Sequence, residues 1–78
     1  MNSYKNIITV FKLTTRIGRK PFGIDESKEY DNLNDVDQAI TWFEQVWEDG
    51  EQWIVSYFSH YDIDNMPVWH VLDKATNE

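Results

Sequence analysis

Two histidines, His60 and His70, and two aspartates, Asp62 and Asp64, fall within one short stretch of the chain. Neutral imidazole and carboxylate are the donors of a divalent metal site. If the residues on either side of the aspartates form a hairpin, both imidazoles lie on one face, one or two ladder steps apart. A working site also needs neighbours that orient each ring, and none is supplied here, so the histidines read as ordinary strand residues. Asp62, Asp64 and Asn65 have the D-x-D-N opening of a calcium loop, but no glycine follows at the sixth position and no glutamate at the twelfth. Asp and Asn side chains that bond their own backbone explain the same residues as a turn. Ser56 and Ser59 have no elbow glycine around them and there is no cysteine, so no nucleophile stands out. The glycines of GRKPFG (Gly18 to Gly23) have the spacing of a phosphate loop, yet Ile24 and Asp25 follow where Lys and Ser or Thr are required. No catalytic, cofactor-binding or metal-binding residue is assigned, and the expectation is a protein that is not an enzyme.

Charge carries more information. Fourteen acids oppose seven bases, for a net −7. Residues 1–20 hold Lys5, Lys12, Arg16, Arg19 and Lys20 and no acid, while the rest of the chain holds every acid and only Lys28 and Lys74. From Asp25 to Glu51 there are ten carboxylates and one lysine. Such a balance disfavours direct contact with nucleic acid or anionic lipid and favours a basic partner. Carboxylates alone also serve to keep a small aromatic-rich chain soluble.

The aromatic content is the second signal, with four each of Trp, Tyr and Phe in 78 residues. With no cysteine to staple it, the fold depends on packing. Large side chains are needed for a core in so short a chain. One helix cannot cover both faces of a sheet, however, so some of Trp53, Tyr57, Phe58, Tyr61 and Trp69 are expected to stay accessible, as binding hot spots do.

The elements that position these residues follow from periodicity. In NDVDQAITWFEQVWEDG (Asn34 to Gly50), Val36, Ala39, Ile40, Phe43, Val46 and Trp47 fall within an arc of roughly 120°, the stripe of a core-facing helix. Trp42 lies at the edge of that arc, and Asp37, Glu44 and Glu48 line a separate flank. Asn34 or Asp35 is the expected N-cap, with Asp37 or Gln38 completing a capping box, and Gly50 the residue that ends the last turn. Glu48 and Asp49 would then sit at the end of the helix that repels acids.

Residues 5–17 (KNIITVFKLTTRI) read as a strand, and Gly18 to Gly23 as a basic turn. Residues 24–33 read either as a short edge strand near Lys28 to Asp31 that pairs back on the first or as a loop leading into the helix. Gln52 to Tyr61 and Pro67 to Leu72 form a hairpin around Asp62 to Met66. If Tyr61 opposes Pro67, then Trp53, Val55, Tyr57, Trp69 and Val71 share one face, and Ile54, Phe58, His60, Val68, His70 and Leu72 the other.

The expected fold is therefore α+β: a small antiparallel sheet in β-(β)-α-β-β order with one amphipathic helix packed on one face, as a single domain over residues 1–78. No run approaches the ~20 consecutive apolar residues of a membrane span. No apolar leader core is present either, and the expectation is cytoplasmic, with no cofactor.

In size, acidity and lack of cysteine the chain resembles in type the small inhibitors with which bacteriophages disable host and defence proteins. The function expected is that of an inhibitor or adaptor whose carboxylate-rich helix flank occupies a basic surface in place of nucleic acid. Its partner-binding residues would be Asp37, Glu44, Glu48, Asp49 and Glu51, with Trp42, Tyr57 and Trp69 as aromatic anchors. The competing expectation is a non-catalytic module or homo-oligomer that associates through exposed sheet aromatics.

Overall fold

Three strand-forming segments and a fourth recruited by pairing build one antiparallel sheet, and an amphipathic helix covers one side of it. The computed structural model describes residues 10–19 and 21–78. Its elements are β1 (Phe11–Ile17), β2 (Ile24–Tyr30), α1 (Leu33–Val46), β3 (Gln52–Tyr61) and β4 (Pro67–Thr76), in the sheet order β2-β1-β3-β4. The fold is the α+β arrangement expected. Residues 5–9 of the anticipated first strand, and Lys20 of the basic turn, lie outside the described residues. No helix among the described residues is long and apolar enough to cross a membrane.

Element boundaries depart from expectation in four places, the first being β4, which runs to Thr76 and not to Leu72 because Asp73 to Thr76 go on pairing with Gln52 to Val55. The edge strand β2 is a full seven residues, pairing with β1 from Phe11↔Tyr30 to Ile17↔Ile24. Its sequence, IDESKEY, has little intrinsic strand preference, and pairing to β1 overrides that. The helix begins two residues earlier than anticipated, because Asn32 is the cap. Asn32 Oδ1 accepts from the Asp35 amide at 2.9 Å, and Asn32 Nδ2 donates back to Asp35 Oδ2 at 3.2 Å. This is the reciprocal logic of a capping box, built on Asn32 and not on Asn34 or Asp35.

The helix also ends early, at Val46, and Trp47 is already extended. The Glu48 amide donates to Glu51 Oε1 at 2.9 Å, so it makes no helical bond back to Glu44. Glu48 to Glu51 is a separate turn closed by the Glu51 amide on the Glu48 carbonyl at 3.0 Å. Gly50 has φ +89° within that turn and not at the helix terminus. Glu48 and Asp49 consequently do not lie in the last helical turn, and the expectation that they oppose the helix dipole is withdrawn.

The helix stripe packs on the odd-numbered residues of the central strands. Leu13, Val36, Trp53 and Val55 are buried, with Val36 fully so, and Phe11, Tyr30, Ala39, Ile40, Phe43, Trp47 and Ala75 pack around them. Phe43 and Trp47, one turn apart on the stripe, meet edge to face at 5.8 Å. Val46 was read as part of the stripe but is 67% exposed, since the helix stops at that residue.

The hairpin register explains a further difference. Tyr61 does oppose Pro67, but two bulges shift the pairing, leaving Ser59 of β3 and Leu72 of β4 without partners. Each bulge inverts the alternation beyond it. Trp69 is thereby paired with Phe58 and Val71 with Ser56, on the face away from the helix, while His70 joins Tyr57 on the helix side. The anticipated grouping of Trp69 and Val71 with Trp53, Val55 and Tyr57 is corrected accordingly.

Candidate interaction surface

The side chains singled out by sequence do not gather on one surface. Asp37 and Trp42 come together on the solvent face of α1, where they line a groove of about 390 Å³ with Gln38, Thr41 and Gln45. Thr41 turns its hydroxyl back onto the Asp37 carbonyl at 2.9 Å. Asp37 is exposed, and Trp42 remains 69% exposed in mid-helix. Glu48 and Asp49 are exposed in the turn beyond the helix, and Asp49 lines a different groove with Arg19, Gln52 and Glu78.

Glu44, although exposed, and Glu51, which is buried, both spend their carboxylates on the fold. Glu44 Oε2 accepts from the Trp53 indole nitrogen at 2.7 Å, pinning the helix to β3 and satisfying the one polar atom of a buried ring. Glu51 is only 5% exposed. Its carboxylate accepts the amides of Gly18 and Glu48, and so joins the β1–β2 loop, the helix exit and the start of β3. The backbone of Glu51 adds to this junction by accepting from the Asn77 amide at 2.8 Å. Glu51 was expected at the surface among its acidic neighbours. Its burial reflects a local need, since two amides at a loop junction lack strand or helix partners and a carboxylate satisfies both.

The two sheet aromatics separate. Tyr57 is half-buried on the helix side and lies against His70, with ring centres 5.4 Å apart. Trp69 is half-buried on the opposite face, where Phe58 meets it edge to face at 5.7 Å and Tyr61 at 5.0 Å extends the cluster. The Lys12 ammonium stands over the Trp69 ring at 4.4 Å, a cation–π contact that sequence reasoning missed. The missing signal was pairing: Lys12 and Trp69 share a face only because Ser59 is bulged.

The aspartates of the hairpin loop act as turn residues. Asp62 Oδ1 accepts from the amides of Asp64 and Met66, both at 2.9 Å. Asn65 takes the left-handed conformation, φ 61°, that closes the loop. Among the described residues no group of three or more His, Asp or Glu side chains is placed to hold a metal ion. Arg16 pairs with Asp25 at 3.0 Å across β1 and β2, the one ion pair among the described residues. The exposed carboxylates of the helix layer, Asp35, Asp37, Glu48 and Asp49, therefore carry their charge without a bonded counter-charge there. Comparisons with protein-family models, with curated proteins and with solved structures found no match.

Proposed function

We propose that this chain is a small acidic protein-binding inhibitor or adaptor that lays its helix layer on a basic surface of another protein. The observation that carries the reading is Trp42. A tryptophan 69% exposed at mid-helix, beside Asp37 and among carboxylates without ion-pair partners, contributes little to the fold. It has the composition of a binding hot spot, in which an aromatic anchor supplies affinity and surrounding charge supplies steering. The fitting partner is a protein whose own ligand is anionic, such as a nucleic-acid-binding enzyme or complex, because a groove built for phosphates also attracts an array of carboxylates. The contacting residues are Asp37, Trp42, Glu48 and Asp49. Glu44 and Glu51 are left out because their carboxylates hold the fold together.

The test compares the parent with Trp42→Ala and with a triple reversal of Asp37, Glu48 and Asp49 to Lys. A partner is first captured from a bacterial lysate by the parent and purified. Association and dissociation rates are then measured at low and moderate salt. Trp42→Ala should weaken the complex about thirty-fold, as loss of a hot spot worth ~2 kcal/mol does. The triple reversal should slow association at least ten-fold and remove its salt dependence. If both variants bind the same proteins with the parent's rates, the helix layer is a solvated surface and the reading fails.

A further inference from the structure

The face of the sheet away from the helix has a charge pattern that fits a copy of itself. By pairing register it carries Lys12, Thr14 and Arg16 on β1, and Gln52, Ile54, Ser56 and Phe58 on β3. On β4 it carries Trp69, Val71, Lys74 and Thr76, and on β2 Asp25, Ser27 and Glu29. Lys74 and the exposed apolar side chains lie on or beside β4, Lys12 and Arg16 stand on β1, and the carboxylates line the β2 edge. Val71 is 60% and Tyr61 62% exposed, large apolar side chains left uncovered. Among the described residues Lys74 and Glu29 form no ion pair, at opposite edges of this one face.

The register fixes how these charges align. Lys74 pairs with Ile54, Ile54 with Thr14, and Thr14 with Ser27, so Lys74 stands level with Ser27, midway between Asp25 and Glu29. A two-fold axis parallel to the strands lays β4 of one copy over β2 of the other and brings each Lys74 between the partner's two carboxylates. The same operation stacks β1 over the partner's β3, with Thr14 facing Ile54 and Lys12 facing Ser56. It also sets the two Phe58 rings on either side of the axis and lays each Trp69 over the end of the partner's β2 edge. A two-fold across the strands would place Lys74 against its own copy, and the carboxylates against each other, so like-charge repulsion excludes it.

We infer that this face is the interface of a back-to-back homodimer, sheet on sheet, with the helices outermost and the symmetry axis along the strands. Aligned packing of two twisted sheets is an ordinary arrangement. Four strands about 4.8 Å apart and seven residues at about 3.3 Å each cover roughly 19 by 23 Å. That is about 440 Å² per copy, below the ~1,200 Å² total of a specific stable interface, and corresponds to a weak, reversible dimer. The inference does not depend on the acidic helix layer, which stays on the outside of both copies.

The experiment is sedimentation equilibrium of the full chain over a range of concentrations, with circular dichroism to check folding. The parent should move from monomer to dimer. Lys74→Glu and Glu29→Lys should each raise the dissociation constant at least ten-fold, because each places like charges at both ends of the interface. An equimolar mixture of the two variants should dimerise about as well as the parent, since each altered residue then faces an opposite charge on the other chain. A parent that stays monomeric at all concentrations overturns the inference and leaves the face to a different protein. Variants that dimerise like the parent overturn the interface, and a mixture that is not restored overturns the axis proposed.

Discussion

Replacing Glu51 tests whether this acid serves the fold and not the surface. The side chain is 5% exposed and its two oxygens accept the Gly18 and Glu48 amides. Glu51→Gln keeps the volume but turns an NH2 group toward one of those amides, replacing an attraction with two opposed donors. A hydrogen bond to a charged group is worth ~1.5–3 kcal/mol. Both bonds are only part-buried, so water recovers some of each, and a net loss of ~2–3 kcal/mol is expected. A domain of this size has on the order of 4–12 kcal/mol in total at typical per-residue stability. The melting temperature should therefore fall by ~10–20 °C. Urea unfolding followed by tryptophan fluorescence measures the change, with an unaltered m-value showing that the native and unfolded states are otherwise the same. Asp49→Asn, an exposed neighbour, is the control and should stay within ~0.5 kcal/mol of the parent. A Glu51→Gln protein as stable as that control would refute the assignment of this carboxylate to the loop junction.

Two further substitutions probe local structure. Asn32→Ala should cost ~1 kcal/mol in urea unfolding through loss of the helix cap, whereas Asn34→Ala should leave stability within ~0.5 kcal/mol; the reverse order would move the helix start back to the residue anticipated from sequence. Gly23→Ala would set a Cβ 2.7 Å from the Gly18 carbonyl oxygen and 2.9 Å from Arg16 Nε. The first contact is with backbone that cannot swing aside, so the β1–β2 turn should shift and the melting temperature drop by several degrees, while unchanged melting would show that the turn relaxes freely.

How much of this was legible in the sequence depends on whether local pattern or partner choice decides a feature. The helix stripe at Val36, Ile40, Phe43 and Trp47 is local, and the structure packs those residues on the sheet. The order of elements followed from turn residues such as Asp62 to Asn65, whose side chain and backbone bonds close the hairpin. By contrast β2 becomes a full seven-residue strand because β1 supplies its pairing partner, where the composition of IDESKEY supports only a short edge strand or a loop. Glu44 and Glu51 looked like two more acids in an acidic band. Their roles depend on a tryptophan and on amides that are distant in sequence or exposed by a turn. The faces of β4 depended on bulges at Ser59 and Leu72, which alternation alone does not reveal.

The bulge at Leu72 also bears on whether the sheet can grow. Among the described residues both outer strands have one unpaired flank, and such a flank is a template onto which another chain can add without limit. On β2 that flank is guarded by Asp25, Glu26, Lys28 and Glu29, all exposed. On β4 the guard is geometric. Pro67 has no amide to offer at the start, and the extra residue at Leu72 breaks the even spacing of donors and acceptors midway. An aromatic-rich chain with a thin core is thereby protected from fibril-like stacking edge to edge. Any association through the sheet must come from its face, where it ends after one partner.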